Sequence, residues 1–123
     1  MFTVTVNHEI DDQRIEDLLV GAFEGGSGYW ATIEAYVNPE NKKVEYPYCQ
    51  LPLIEDCGVI VSDGEGGEIE KGALLNRETL EKGIEIMSKK YDRHFKNFIE
   101  ENDDAITADV FLQCCLLGEI VYG

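Results

Sequence analysis

A glycine-rich segment at 26–31 has the spacing of a dinucleotide-binding loop. It reads Gly-Ser-Gly-Tyr-Trp-Ala and matches the pattern G-x-G-x-x-A. In dinucleotide-binding proteins this loop follows a strand and begins a helix, whose amino terminus holds the pyrophosphate. Here the segment follows a predicted helix and precedes a predicted strand. We therefore interpret it as a flexible link and predict no cofactor.

Four cysteines could hold a metal ion or form a redox centre. Cys49, Cys57, Cys114 and Cys115 include no C-x-x-C pair, which zinc ribbons and thioredoxin-like sites require. On a helix, the side chains of Cys114 and Cys115 would point about 100° apart, so both could not easily bind one ion. The segment 63–68, Asp-Gly-Glu-Gly-Gly-Glu, lacks the register of a calcium loop and is predicted to be a turn. We expect reduced core cysteines and no metal site.

The histidines, serines and carboxylates form no catalytic motif. His94 falls beside the apolar stripe of a predicted helix, where a half-buried, hydrogen-bonded role is expected. His8 lies next to Glu9, and none of the serines lies in a G-x-S-x-G motif. Asp11 and Asp12 could serve a carboxylate mechanism, but a strongly acidic chain produces such pairs by chance. The sequence predicts that the chain is not an enzyme and points to no catalytic residue.

Negative charge is the strongest feature of the composition. Twenty-five acidic residues against ten lysines and arginines leave a net charge of −15 on 123 residues. Such a surface repels nucleic acid and anionic membranes, so neither is expected as a direct ligand, and it attracts basic proteins. Solubility alone is the alternative explanation for the acidity.

The acids concentrate in three segments. Residues 9–24 hold six acids and one base, residues 55–70 hold six acids and no base, and residues 100–109 hold five acids and no base. Duplex DNA carries one negative charge per about 1.7 Å of its axis, so carboxylates on a rigid surface could imitate it and occupy a nucleic-acid groove. Helix capping explains part of the pattern, because two of these segments lie at predicted helix starts.

The predicted partner-binding residues are of two kinds, acids that form the charged surface and aromatics that form a hydrophobic anchor. The acids are Glu9, Asp11, Asp12, Glu16, Asp17, Asp63, Glu65, Glu68 and Glu70, and the aromatics are Trp30 and Tyr36. Alternatively, the two aromatics form a second small core beneath the segment 42–56.

Alternating apolar residues and turn signals predict about five strands. These strands are 2–6, 29–37, 58–61, 68–75 and 119–122. The glycine-rich turn at 63–67 joins the third and fourth into a hairpin. In the strand 29–37, alternation places Ile33 on one face and Tyr36 on the other. A turn at 38–41 and an irregular excursion at 42–56 follow it.

Periodic apolar residues predict three helices. The first is capped by Asp11 or Asp12 and ends at the glycines 25–26. The longest is capped by Asn76, and its apolar stripe extends to about Glu100. The last, 106–117, is apolar nearly all round and should therefore be buried.

Together these elements predict a single acidic α+β domain over residues 1–123. Its strands would be mostly antiparallel, with the long helix and the buried carboxyl-terminal helix packed on one face. The chain contains no apolar run long enough to span a membrane, and residues 1–6 lack the basic flank and apolar core of a signal peptide. We expect a cytoplasmic protein.

Three segments resemble small acidic proteins encoded by bacteriophages and mobile genetic elements. They are 28–31, which reads GYWA, 107–113, which reads TADVFLQ, and the ending 118–123, which reads GEIVYG. The resemblance implies such an origin, and small acidic phage proteins include inhibitors of host CRISPR, restriction and glycosylase systems.

The predicted function is therefore inhibition of a host nucleic-acid-binding defence complex, of the anti-CRISPR or anti-restriction type, by a DNA-mimicking acidic surface. Its partner would be a basic nucleic-acid-binding host protein in the bacterial cytoplasm. A non-catalytic phage interaction module, for example a homodimer built on the Trp30 face, is the alternative. An unrecognised enzyme is the third interpretation.

Overall fold

The computed structural model describes residues 1–39 and 46–123, and these residues form four α-helices and three β-strands. In chain order the elements are α1 (Asp12–Gly21), which continues into a π-helical turn (Ala22–Gly26), β1 (Thr32–Val37), a 3-10 turn (Leu51–Leu53), β2 (Gly58–Ser62), β3 (Ala73–Leu75), α2 (Arg77–Lys90), α3 (Asp92–Ile99) and α4 (Ala105–Leu117). The predicted α+β class is confirmed. The predicted turn at 38–41 and excursion at 42–56 lie partly outside the described residues. No helix in the described ranges is long and apolar enough to cross a membrane.

Side-chain caps fix where three of the helices begin. Asp11, Asn76 and Asp104 each accept a hydrogen bond from the backbone N–H three residues later, at 3.1, 3.0 and 2.9 Å. These bonds satisfy N–H groups that the first helical turn leaves unpaired. Gly118 ends α4 with a left-handed backbone, at φ 79°. The predicted caps at Asp11 and Asn76 are therefore confirmed.

The helix predicted from Asn76 to about Glu100 is two helices, α2 and α3. Tyr91 separates them with non-helical angles, φ −130° and ψ 54°. Its hydroxyl accepts a hydrogen bond from the backbone N–H of Ile120 at 2.9 Å. On α3, beyond the break, Phe98 is buried beneath the guanidinium of Arg14. Tertiary contacts thus override an apolar period that continues across the break.

Three of the five predicted strands form, and they make one antiparallel sheet in the order β1-β2-β3. The predicted hairpin is confirmed, although its second strand covers only residues 73–75. The predicted strand at 119–122 is wrong because Oε1 of Gln113 holds that segment, accepting from the N–H groups of Val121 and Tyr122 at 2.7 and 2.9 Å. The predicted strand at 2–6 does not form within the single chain, where it pairs with no strand among the described residues.

A bulge in β1 changes which side chains share a face. The register shifts by one residue between Ile33 and Ala35, so Ile33 lies opposite Val61 and Tyr36 lies opposite Val59. Residues opposite each other in an antiparallel pair point to the same face, and Val59 and Val61 are both fully buried. Ile33 and Tyr36 therefore lie on the same, inner face of the sheet, which corrects the simple alternation expected from the sequence.

Helix α4 forms the centre of the core, as its apolar sequence predicts. Residues 107–115 are all buried, and α4 contacts the other three helices and β3. It approaches α2 closely at Gly83, where an added Cβ would lie 2.8 Å from Cα of Cys115. All four cysteines are buried and free, so the prediction of core cysteines is confirmed.

Candidate partner-binding surface

Two of the predicted acids at the start of α1 have structural partners. Asp11 is the helix cap. Asp12 accepts two hydrogen bonds from the guanidinium of Arg77, at 3.2 and 2.6 Å, and these bonds lower the pKa of Asp12. Arg77 also donates to the carbonyl oxygen of Leu53 at 2.9 Å. Asp12 is therefore less available to a partner than an unpaired acid, whereas the capping bond fixes the position of Asp11.

Asp63 fixes the acidic turn between β2 and β3. Its Oδ1 accepts from the backbone N–H of Ile69 at 3.1 Å, and its Oδ2 accepts from the hydroxyl of Tyr122 at 2.6 Å. The other predicted acids of the turn are exposed, and within the described part of the chain they form no ion pair. They are Glu65, Glu68 and Glu70.

Arg14 on α1 brings acids of two separate segments together. Its Nη2 donates to Oδ1 of Asp103 at 2.9 Å and to the carbonyl oxygen of Phe98 at 2.6 Å. The guanidinium carbon lies 4.5 Å from the centre of the Phe98 ring. The hydrogen bond to Asp103, with the nearby charges of Glu101 and Asp17, raises the pKa of Arg14. The cation is therefore held in place at the junction of α1 with the α3–α4 connection.

The acids around this cation form a cluster that we name the Arg14 acidic patch. It consists of Glu9, Asp11, Asp17, Glu101 and Asp103. Three of them, Glu9, Asp11 and Glu101, line a shallow cleft of about 220 Å³ beside Arg14. Asp17 lies one helical turn away and accepts a hydrogen bond from Gln13 at 2.9 Å. Five carboxylates against one guanidinium leave the patch strongly negative.

Glu9, Asp11 and Asp17 belong to the binding surface predicted from the sequence, whereas Glu101 and Asp103 do not. No local periodicity shows that Arg14 reaches across to the end of α3. One signal was available, because Arg14 is the only base in residues 9–24. A single half-buried cation in an acidic segment needs carboxylates close to it.

Glu16 lies beside the Arg14 acidic patch, because Nε2 of Gln13 donates to Oε2 of Glu16 at 3.5 Å and to Oδ1 of Asp17 at 2.9 Å. Glu16 is half-buried, and its charge adds to the effect of burial, which raises the pKa of the Cys49 thiol. Among residues 1–39 and 46–123, no hydrogen bond or ion pair joins the patch to the turn at 63–70. The predicted acids therefore form at least two separate groups.

Trp30, one of the two predicted anchors, is buried. Only 7% of it is exposed, and its indole Nε1 donates to Oδ1 of Asp109 at 2.7 Å. Its ring stacks on Tyr122 with 5.5 Å between the ring centres. This corrects the expectation that Trp30 anchors a partner, because the indole is part of the core. Tyr36, the other predicted anchor, is 63% exposed.

Asp109 on α4 is the centre of a buried hydrogen-bond network. Besides Trp30, its carboxylate accepts from the hydroxyls of Ser27 at 2.8 Å and Tyr29 at 2.7 Å. Burial of the tyrosine hydroxyl and its bond to Asp109 raise the pKa of Tyr29 to about 12. All three donors come from the segment that matches the dinucleotide fingerprint. That segment therefore docks on α4 through its own side chains.

An open cleft of about 410 Å³ borders this network, and its lining includes Tyr29, His94, Gln113 and Tyr122. Nδ1 of His94 lies 3.1 Å from Oγ1 of Thr107, and Gln113 binds the backbone of 121–122. These polar groups join segments of the fold, and the hydroxyl that faces His94 belongs to Thr107, which is buried. No cluster of three metal-binding side chains occurs in the described ranges.

Comparison with protein-family models, with curated proteins and with solved structures finds no match to this chain. The phage or mobile-element origin implied by residues 28–31 and by the ending therefore stays a prediction.

Proposed function

We propose that this chain is a phage or mobile-element inhibitor of a host nucleic-acid-binding defence complex, of the anti-CRISPR or anti-restriction type. It binds a basic channel of that complex through the Arg14 acidic patch and keeps nucleic acid out. One observation carries the proposal, the convergence of acids from residues 9–17 and 100–103 around a single cation that is already engaged. Its place of action is the host cytoplasm.

The patch has two properties that a nucleic-acid mimic needs. Most of its charge is uncompensated. Arg14 donates hydrogen bonds to Asp103 and to the Phe98 carbonyl oxygen, and in the described residues it donates to no other acid. Its carboxylates stand on ordered backbone, since Asp17 lies within α1 and Asp11 is fixed by its capping bond. Fixed carboxylates can meet lysine and arginine side chains with little loss of conformational entropy.

The turn at 63–70 and Tyr36 supply the rest of the proposed surface. The three exposed glutamates of the turn add to the field that attracts a basic partner. Tyr36 offers an exposed aromatic ring for a hydrophobic contact.

A non-catalytic interaction module of a phage is the second candidate. Exposed apolar side chains favour it, since Phe2 and Val4 are 99% and 80% exposed.

Phage challenge of bacteria that carry an active CRISPR or restriction system tests the proposal. Expression of the chain should raise plaque numbers, and Glu9→Lys combined with Asp17→Lys should abolish the effect. The matched control, Glu81→Lys with Glu119→Lys, changes the charge equally at exposed acids outside the patch and should keep it. Failure of the wild type against every system tested, or equal behaviour of the two double variants, would rule out the patch as an inhibitory surface.

A further inference from the structure

Residues 2–6 have the pattern of a strand without a partner in the described chain. Four of the five, Thr3 to Val6, are β-branched, which favours extended structure. The apolar members Phe2, Val4 and Val6 are 99%, 80% and 65% exposed. The segment therefore presents both apolar side chains and unpaired backbone groups to its surroundings.

Among the described residues, the contacts that anchor this segment lie at its carboxyl-terminal end. His8 packs edge-on against Phe95 with 5.5 Å between ring centres, and Ile10 is packed against the core. Thr5 and Val6 border an open groove beside Ile84 of α2. The residues that precede His8 thus extend away from the domain surface beside α2 and α3.

The β1 edge of the sheet has no neighbour on its outer side within residues 1–39 and 46–123. By its register opposite Val59, Tyr36 lies on the inner face of the sheet, yet it is 63% exposed. Within the described residues, the apolar face of the sheet therefore stops at β1, with the Tyr36 ring mostly exposed. A fourth strand at this edge would cover Tyr36 and Ile33 and would pair with the outward-facing N–H and C=O groups of β1.

The local charge allows a second copy of this chain to supply the fourth strand. Two copies that each carry −15 repel each other over most of their surfaces. Residues 1–8 contain no acid, and the only acid of β1, Glu34, accepts a hydrogen bond from the hydroxyl of Ser62 at 2.7 Å. The segment 2–6 and the β1 edge are thus two surfaces that can meet with little repulsion.

The position of the anchor also favours exchange between copies. The segment leaves beside α2, and α2 contacts β3, where Oγ1 of Thr79 donates to the carbonyl oxygen of Leu74 at 3.1 Å. In the sheet order β1-β2-β3, β1 is the opposite edge. The segment therefore leaves near the β3 side of its own sheet and is placed to reach the β1 edge of another copy.

We infer that residues 2–6 of one copy add as a fourth strand to the β1 edge of a second copy. Reciprocal exchange closes a two-fold symmetric dimer, because each copy has one segment and one edge. Phe2, Val4 and Val6 then lie over Tyr36 and Ile33. This contact leaves the Arg14 acidic patch free but covers Tyr36, so in the dimer only the acidic groups of the proposed inhibitory surface would meet the host complex.

Sedimentation velocity of the full chain between about 1 μM and about 1 mM tests this inference. The mass should rise with concentration from 13.8 kDa to twice that value. Val4→Pro removes a donor that a strand ladder needs, so it should raise the dimer dissociation constant at least about tenfold. Tyr36→Ala should weaken the dimer in the same direction. The control Ile106→Ala removes a side chain that is 65% exposed outside both surfaces and should change nothing.

Residues 2–6 form no helix or strand in the described structure, so Val4→Pro should retain the fold, which circular dichroism checks. A mass of 13.8 kDa over the whole range would overturn the inference. A dimer that survives both Val4→Pro and Tyr36→Ala would overturn it too, since another surface would then hold the copies together.

Discussion

Nε1 of Trp30 lies 2.7 Å from Oδ1 of Asp109, across the contact between the segment 27–30 and α4. This contact explains the glycine-rich pattern G-S-G-Y-W-A. An added Cβ at Gly26 would lie 3.3 Å from Cβ of Asp109 and closer still to the carbonyl of Ala105, so the backbone can approach α4 only without a side chain. Spacing that resembles a dinucleotide fingerprint therefore serves packing against a buried carboxylate.

Replacing Asp109 by alanine should lower the free energy of unfolding by about 3–5 kcal/mol, because it leaves three donors without their acceptor. Two of these donors, on Ser27 and Trp30, are buried. Urea denaturation followed by the fluorescence of Trp30 measures the loss. Glu65→Ala, at an exposed acid, should stay within about 0.5 kcal/mol of the wild type. A loss below about 1 kcal/mol for Asp109→Ala would show that the network contributes little.

Gly83→Ala should destabilise the protein by about 1–3 kcal/mol, although alanine is the better helix former by about 1 kcal/mol. The added Cβ would meet the backbone of α4, at 2.8 Å from Cα and 2.9 Å from N of Cys115. Thermal and urea unfolding measure the effect. Glu81→Ala, at an exposed site on the same helix, should be nearly neutral. A Gly83→Ala variant as stable as the wild type would mean that α2 and α4 are less tightly packed than described.

The cap of α4 should weaken in acid. The backbone N–H of Thr107 holds the pKa of Asp104 below its ordinary value of 3.8. The carboxylate therefore stabilises the fold fully above pH 3.8, and its contribution is lost as the pH falls through the lower, folded pKa. Asp104→Asn keeps a capping oxygen without a charge, so its stability should depend less on pH below 4, whereas Asp104→Ala should lose about 1 kcal/mol at neutral pH. Urea unfolding measures the free energy of unfolding at each pH. The same fall in this free energy below pH 4 for the wild type and for Asp104→Asn would exclude this role.

The Tyr29 hydroxyl should make the fold sensitive to alkali. Its pKa is raised from 10.0 to about 12 by burial and by the bond to Asp109. A group with a raised folded pKa contributes stability that is complete below the unfolded value and is lost as the pH rises through the folded value. Stability should thus fall between pH 10 and 12, and Tyr29→Phe should show a smaller fall over that window. Urea midpoints across the window measure both, and equal slopes would contradict the assignment.

Local signals predicted the parts of the fold that depend on neighbours in sequence. The caps at Asp11 and Asn76 and the burial of α4 follow from side-chain type and period. The break at Tyr91 could not be predicted, because it coincides with a hydrogen bond from Ile120 to a hydroxyl far along the chain. The strand pattern at 119–122 failed for the same reason, since Gln113 takes the N–H groups that a ladder would use.

The sequence predicted several acids of the candidate surface but not which of them lie together in the fold. Arg14 joins residues 9–17 to Asp103 across 89 positions of sequence, which composition cannot show. The burial of Trp30 could be predicted only by recognising Asp109, a single acid in an apolar helix, as the acceptor for its indole N–H. The segments 28–31, 107–113 and 118–123, from which a phage origin is predicted, all contribute residues to this network, through Tyr29, Asp109 and Tyr122. They are segments that hold the fold together.

Competition with nucleic acid tests the Arg14 acidic patch most directly. Binding of the chain to a purified CRISPR or restriction complex, chosen by the phage challenge, is measured at about 50 and about 200 mM salt, with and without a target duplex. We predict that the duplex and the chain exclude each other and that added salt weakens binding. Glu9→Lys with Asp17→Lys should weaken it at least about tenfold, mainly by slowing association, while Glu81→Lys with Glu119→Lys binds nearly as the wild type does. A ternary complex with the duplex, or binding that is indifferent to salt and to reversal of the patch, would contradict the proposal.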